Sequence, residues 1–158
     1  MPSSTQPRAA YRLRVAEPRA AYLSRPALVP DASIVAAVLF GEENRAEAEA
    51  LLHARALHAP HLLDYEIAGV GIKKIRCGNL PESAVATAFG AYARVPIERH
   101  AVDADALLVL AQRYGLTVYD AAYLSVAERL GAPLATFDEK LAAAARTHLA
   151  HDEIHEPG

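Results

Sequence analysis

Four acidic residues lie where one predicted element gives way to the next: Asp31, Glu66, Asp120 and Asp138. Asp31 and Asp138 follow short apolar runs that predict strands. Asp120 opens a helix after residues 117–119, so three acids stand at predicted strand-to-helix junctions. Glu66 lies near the start of another helix, whose preceding turn approaches the same edge. Ligands of open parallel sheets bind beyond the carboxyl ends of the strands. We therefore expect the four carboxylates to converge there.

Each acid taken alone has a second explanation. A carboxylate at a helix N-cap or in a first turn stabilises the helix by about 0.5–2 kcal/mol through free backbone N–H groups. Taken together, clustered carboxylates repel one another unless a cation lies among them. Hard oxygen ligands with open water positions are typical of Mg²⁺ or Mn²⁺. The set of four therefore indicates a divalent-metal site.

Short apolar runs alternate with helical patterns along the chain. The runs that predict strands are residues 27–30, 57–59, 95–98, 117–119 and 133–136. The helical patterns cover residues 34–40, 42–56, 64–77, 81–93, 104 to about 115, 120–130 and 139–147. Pro81 is placed at a first helical position, and two helices are predicted to end near Gly115 and at Gly131. This alternation predicts an α/β fold in three layers, with a short-stranded parallel sheet flanked by helices on both faces.

Composition limits the class of protein. A chain of 158 residues, 53% of them apolar, is long enough for one domain with a substantial core. A single cysteine, Cys77, excludes an internal disulfide and fits a reducing, cytoplasmic setting. No apolar run approaches the roughly 20 residues of a membrane span, and no secretory signal is evident. We expect a soluble protein without a membrane partner.

Charge divides the chain unevenly. The first 26 residues hold five arginines and one glutamate, whereas the rest carries a net formal charge of −7. Metal-free binding to phosphates normally uses a basic surface, so the acidic body argues against that class of protein. We divide the chain into a flexible leader (1–24), one domain (25–150) and a polar tail (151–158). An RNA-tethering arm is the alternative interpretation of the leader.

Other chemistries lack their motifs in this sequence. There is no Gly-rich phosphate loop and no Gly-x-Ser-x-Gly elbow, which disfavours nucleoside-triphosphate and serine-hydrolase chemistry. No Asp follows Asp31 at the second position, which weakens an aspartyl-phosphate mechanism. His148, His151 and His155 have ligand-like spacing, but a polar terminal segment explains them more simply. Tyr123 lies on an apolar helical stripe and is predicted to be core.

Four segments match a known family in order and spacing. They are Val29-Pro-Asp-Ala-Ser33, Glu66 within a helix, Gly115-Leu-Thr-Val-Tyr-Asp-Ala-Ala-Tyr-Leu124 and Gly131-Ala-Pro-Leu-Ala-Thr-Phe-Asp-Glu-Lys-Leu141. On these segments, residues from about 28 to 149 resemble a PIN domain, and most resemble the VapC-type toxins of bacterial toxin–antitoxin pairs. The chain departs from the family at Ile67-Ala68-Gly69, where a polar residue is common. It also shows no C-terminal strand to close the sheet.

The resemblance implies a PIN-like fold and an endoribonuclease that depends on Mg²⁺ or Mn²⁺. Asp31 and Asp120 correspond to the principal metal ligands. Glu66 and Asp138 complete the site directly or through bound water. Thr136 corresponds to a hydroxyl that orients a ligand or a metal-bound water. The resemblance further implies an RNA substrate, a homodimer and a VapB-like antitoxin that covers the acidic groove.

Two rival functions stay open on the sequence. One is a catalytically silent PIN-like module that binds RNA or a protein, although the presence of all four acids argues against it. The other is a metal-dependent DNA nuclease, because contacts to a 2′-hydroxyl are not readable from the residues. The sequence assigns no general base.

Overall fold

The computed structural model describes residues 25–152, and the side chains of residues 25–150. The predicted leader and the last six residues of the predicted tail lie outside the described residues. The strands are β1 (Ala27–Pro30), β2 (Ala56–Pro60), β3 (Ile97–His100) and β4 (Leu134–Ala135). The helices are α1 (Ala32–Phe40), α2 (Arg45–Leu52), α3 (Leu62–Arg76), α4 (Glu82–Tyr92), α5 (Ala104–Tyr114), α6 (Val118–Leu130) and α7 (Glu139–Asp152).

The four strands form one parallel sheet in the order β3-β2-β1-β4. Successive strand residues point to opposite faces, and the neighbours Leu28 and Val29 in β1 are both buried. Both faces of the central strand are therefore covered. Helix α6 packs against β1 and β2, while α1 packs against β1 and α3 against β2. This arrangement confirms the predicted three-layer α/β/α fold.

The predicted strand before Asp120 is wrong. Thr117 is the N-cap of α6, and its hydroxyl accepts a hydrogen bond from the backbone N–H of Asp120. Asp120 consequently lies in the first turn of a helix rather than at a strand end. Val118 and Tyr119, which suggested the strand, lie on the exposed surface of that helix. A local hydroxyl cap has outweighed the strand preference of these residues.

Three other boundaries shift for local reasons. Helix α2 ends at Leu52, well before the predicted residue 56, because Ala54 takes a positive φ of 57°. Strand β3 begins at Ile97 rather than Val95, because the backbone N–H of Val95 is bonded to Tyr92 in the turn after α4. Pro81 is the N-cap of α4 and not its first helical residue.

Helix α7 extends beyond its predicted end at residue 147. Helix α7 continues through Asp152, so residues 148–152 are helical. His148 is buried, and its Nδ1 lies 2.8 Å from the hydroxyl of Tyr114 in α5. His148 therefore links α7 to α5 by a hydrogen bond and does not belong to a solvated polar segment. Side chains beyond residue 150, including His151 and His155, lie outside the described residues.

The sheet ends at the two-residue strand β4 within residues 25–152, which agrees with the missing closing strand in the sequence. Gly115 and Gly131, the predicted helix stops, both adopt left-handed conformations after α5 and α6. Among the helices of the described region, none has the length and apolar character that a membrane crossing requires.

Gly71 lets α3 approach its neighbours closely. It is buried, and a Cβ at this position would lie 3.0 Å from a ring carbon of Phe89 and 3.0 Å from a methyl group of Val85, both in α4. Gly69 is on the same helix but exposed, and a Cβ there would meet nothing within 4 Å. The two glycines therefore provide a matched pair for measuring how tightly α3 and α4 pack.

Gly71→Ala should be less stable than Gly69→Ala by about 1–3 kcal/mol, the usual penalty of overpacking. Both substitutions gain up to about 1 kcal/mol of helix propensity, so the difference isolates the packing term. Equilibrium urea unfolding of the two variants measures it. Equal unfolding free energies would mean that Phe89 and Val85 move aside without penalty.

Candidate metal centre

Asp31 occupies the junction of β1, β4 and α1. It directly follows β1, and its backbone N–H continues the pairing with β4 by donating to the carbonyl of Ala135 at 2.9 Å. Its carboxylate caps α1, with Oδ1 accepting from the backbone N–H of Ser33 at 2.9 Å and of Ile34 at 3.2 Å. The capping explanation of this acid is therefore correct. The cap uses only Oδ1, so Oδ2 is free to accept a bond from outside the helix.

Two hydroxyl groups fix the Asp31 carboxylate from opposite sides. The Ser33 hydroxyl donates to Oδ1 at 2.6 Å and accepts from the backbone N–H of Phe137 at 3.0 Å. The Thr136 hydroxyl donates to Oδ2 at 2.5 Å and accepts from the backbone N–H of Asp138 at 2.9 Å. Because β4 pairs with β1, the segment after β4 lies beside Asp31. The two hydroxyls thus tie the carboxylate to the loop that carries Asp138.

Glu66 reaches the same region from α3. It is partly buried in the second turn, and its Oε2 accepts a hydrogen bond of 2.5 Å from the hydroxyl of Tyr123 in α6. Tyr123 is a core residue, as its helical spacing predicted. Burial and the bond to Glu66 raise the pKa of the tyrosine above its usual value, so it stays a proton donor.

Asp120 and Asp138 are oriented by local helix-capping contacts. The Thr117 hydroxyl donates to Oδ2 of Asp120 at 2.7 Å while accepting from its backbone N–H at 3.0 Å. Oδ1 of Asp138 accepts from the backbone N–H of Leu141 at 2.7 Å, in the first turn of α7. Each contact engages one carboxylate oxygen and holds the side chain in a defined direction.

Electrostatics connects three of the four acids. Burial raises the pKa of Glu66, and the charges of Asp31 and Asp120 raise it further against the hydrogen bond from Tyr123. Burial also raises the pKa of Asp31, opposed by the bonds from Ser33, Thr136 and Ile34. Asp31 and Asp120 therefore each lie close enough to Glu66 to repel its negative charge. Asp138, which is exposed, is connected to them through Thr136.

The acidic group is open rather than a closed cage. Among the described residues, the group of three or more ligand atoms within 4.8 Å of one another is His58, Glu98 and His100, and none of the four predicted acids belongs to it. In the described region, any three of the four acids therefore include at least one pair of ligand atoms more than 4.8 Å apart. Mg²⁺ keeps several of its waters and is commonly held by one or two carboxylates, so an open oxygen-lined group fits that ion.

Sequence reasoning missed two supporting residues. Ser33 was recognised only as part of a motif, although its position two residues after a capping Asp is a typical side-chain–backbone turn. The core position of Tyr123 was predicted, but its hydroxyl bond to Glu66 was not. A buried tyrosine normally finds a partner for its hydroxyl, and that rule was the available signal.

Comparison with known proteins identifies the family of this chain. Residues 28–147 match the model of the PIN domain. The chain belongs to the PIN domain family. Nucleases of this family in general depend on a divalent metal ion.

Two relatives carry ribonuclease names. The chain is 36% identical to the ribonuclease VapC3 of Pyrobaculum aerophilum, over 73% of this chain and 92% of that protein. It is 33% identical to the ribonuclease VapC9 of Mycobacterium tuberculosis, over 72% of this chain and 87% of the relative. These alignments span most of both chains in each pair.

Two solved structures share the fold. The crystal structure of PAE2754 from Pyrobaculum aerophilum superposes with a TM-score of 0.60 at 24% identity, covering 83% of this chain and 92% of that one. VapC20 of Mycobacterium tuberculosis, described as a sarcin–ricin loop cleaving toxin, gives a TM-score of 0.56 at 16% identity, covering 75% and 95%. At these identities the structures show the fold alone.

Ser33→Ala should lower the unfolding free energy by about 2 kcal/mol, because it removes a bond to a carboxylate and leaves the Phe137 N–H without its acceptor. Ser83→Ala is the matched control, since Ser83 is also the second residue of a helix but is exposed. Urea unfolding compares them, and Ser33→Thr should restore stability. Equal losses in the two alanine variants would contradict the role given to the Ser33 hydroxyl.

Proposed function

We propose that this protein is a divalent-metal-dependent endoribonuclease and the toxin of a toxin–antitoxin pair, with Asp31, Glu66, Asp120 and Asp138 as its metal-binding and catalytic residues. The observation that carries the proposal is the like-charge group of Asp31, Glu66 and Asp120, in which two acids raise the pKa of the third. A bound cation relieves that repulsion. Family membership supplies the reaction class.

The hydrogen bonds leave suitable ligand atoms. Thr117 engages Oδ2 of Asp120, Tyr123 engages Oε2 of Glu66, and the backbone of Leu141 engages Oδ1 of Asp138. Within the described part of the chain, the second oxygen of each of these three carboxylates has no such bond, whereas both oxygens of Asp31 accept hydroxyl bonds. One oxygen is thus used for orientation, while the other is available to a cation or to its bound water.

The donor set consists of oxygen atoms, which favours Mg²⁺ or Mn²⁺ over softer metals. Such a cation, when bound, neutralises charge on the scissile phosphate and lowers the pKa of a water molecule. The residues around the carboxylates hold them in position. Asp31 is held by Ser33 and Thr136, and Glu66 by Tyr123, so neither carboxylate must reorganise when the substrate binds.

The substrate and partner proposals follow the relatives. Proteins named VapC ribonucleases cover most of the chain at 33–36% identity, which supports RNA as the substrate. A VapB-like antitoxin is the expected partner, and a basic segment suits the −7 charge of the chain after residue 26. Tyr119, exposed in the same turn as Asp120, offers a surface for stacking on a base. We place this activity in the cytoplasm.

Asp120→Asn and Asp31→Asn should each reduce RNA cleavage by at least about 100-fold, the scale of losing one electrostatic group at a reacting phosphate. The double variant should lose little more, because both act through one ion. Asp105→Asn, which removes an exposed acid from the first turn of α5, is the control. Cleavage is measured with Mg²⁺, with Mn²⁺ and with chelator.

At position 120, asparagine keeps an oxygen that can accept the Thr117 bond. At position 31 it keeps an oxygen for the Ser33 and Ile34 bonds, while its amide N–H replaces Oδ2 and can donate to the Thr136 hydroxyl, so both variants should fold. Full activity of either one in low-millimolar Mg²⁺ would contradict the site assignment. A folded wild type that binds RNA but cleaves neither RNA nor DNA with any of these ions would instead indicate the catalytically silent module. Cleavage of DNA in preference to RNA would replace the substrate proposal while leaving the metal site intact.

We include a homodimer in the proposed function. The family resemblance supports it, and so do the exposed apolar side chains of Leu108 and Val109 on α5, which are 63% and 53% exposed. Multi-angle light scattering should give about twice the chain mass of 16.9 kDa. The double variant Leu108→Glu, Val109→Glu tests whether α5 forms the contact. A strict monomer at high concentration would contradict the dimer.

A further inference from the structure

A second group of possible metal ligands lies away from the four acids. His58 is in β2, and Glu98 and His100 are in the neighbouring strand β3. The register pairs His58 directly with Glu98. His100 follows Glu98 by two residues, so all three side chains project from the same face of the sheet. The group is therefore built by strand pairing and not by a loop.

The ligand atoms are spaced as a small coordination site requires. His58 Nδ1 lies 3.0 Å from His100 Nε2. The two Glu98 oxygens lie 3.6 Å from His58 Nδ1 and 3.8 Å from His100 Nε2. A tetrahedral ion with bonds of 2.0–2.1 Å separates its ligand atoms by about 3.3–3.4 Å. The observed distances fall on either side of that value, so small side-chain rotations would bring the three ligand atoms to tetrahedral spacing.

The two imidazoles are held while the carboxylate is open to solvent. The side chains of His58 and His100 are 16% and 14% exposed, and that of Glu98 is 68% exposed. The rings are tilted by 42° at a centroid distance of 5.2 Å, and a nitrogen of each faces the other. Without an ion, one imidazole must donate to the other; with an ion, both direct lone pairs at it. The exposed side leaves room for a water ligand.

The surroundings contain charges of both signs. Two groups of positive charge, Arg129 of α6 and the exposed His61, disfavour a positive charge on His100, whereas the Glu98 carboxylate favours it. The Arg129 guanidinium donates to the carbonyl of Ala101 at 3.0 Å, which fixes it by a contact outside the group. Its positive charge weakens cation binding, and the Glu98 carboxylate opposes that effect. Two nitrogen ligands and one oxygen ligand with an open position form a donor set that suits Zn²⁺ and not Mg²⁺.

We propose that His58, Glu98 and His100 bind one Zn²⁺ ion, with a water molecule in the fourth position, and that this ion fastens the edge strand β3 to β2. The site uses none of the four acids of the proposed nuclease centre. It is therefore independent of the proposed function, and Mg²⁺ at millimolar concentration does not compete for it.

Titration of the metal-depleted full-length protein with Zn²⁺, followed by calorimetry, tests the site. Glu98→Gln and His100→Gln should each weaken binding at least about tenfold, since loss of an outer-shell partner alone commonly has that effect. Asp31→Asn should leave the Glu98-dependent binding step unchanged, because any Zn²⁺ that the acidic group takes up is a separate step of the titration. His53→Gln removes an exposed histidine elsewhere, and Cys77→Ser removes the exposed thiol, so both serve as controls.

Two further measurements keep the test decisive. Co²⁺ in place of Zn²⁺ should give the visible absorption of a tetrahedral site, and Glu98→Gln should diminish it. Zn²⁺ at about a hundredfold above its dissociation constant should raise Tm by roughly 5–10 °C in the wild type. Because Glu98 is exposed, its variant should fold even if a histidine variant does not. Unchanged Zn²⁺ affinity in Glu98→Gln, or loss of binding in Cys77→Ser or Asp31→Asn, would overturn the proposal.

Discussion

The hydrogen bonds around the Asp31 carboxylate hold together the parts of the candidate metal centre. One buried side chain ends β1, caps α1 and accepts a bond from Thr136 beyond β4. The same two hydroxyls, of Ser33 and Thr136, accept hydrogen bonds from the backbone N–H groups of Phe137 and Asp138 and so position the loop after β4. The position of Asp138, 107 residues further along the chain, thus depends on a network centred on Asp31. A buried network of this kind specifies one arrangement only when every member is satisfied.

The same arrangement opposes stability. Burial disfavours the ionised forms of Asp31 and Glu66, and the neighbouring charges disfavour that of Glu66 further. A protein selected for stability alone would place apolar or amide groups there. The bonds from Ser33, Thr136 and Tyr123 offset part of this penalty without removing the negative charge. The unfavourable charge is therefore retained at the place where a cation would be bound.

Much of this architecture was readable from local sequence. Strand β1, the helix after it and the glycine stops follow from apolar runs and backbone preferences, and Asp31 was located from them. The strand assigned before Asp120 was wrong, because Thr117 provides a cap that apolar patterning does not register. The Tyr123–Glu66 bond joins residues 57 positions apart. Such contacts depend on how α3 and α6 pack, and one sequence does not contain that information.

Sheet geometry also explains how one small domain can carry two chemically different ligand groups. The carboxyl ends of β1 and β4 lead into helix N-termini, where backbone N–H groups stabilise acids such as Asp31 and Asp138. Side chains within β2 and β3 instead project from a face, where pairing sets their spacing regardless of helix dipoles. No sequence pattern connects His58 with Glu98 and His100, because 40 residues separate the first from the second. Their proximity arises only from parallel pairing, which brings distant residues together in a fixed register.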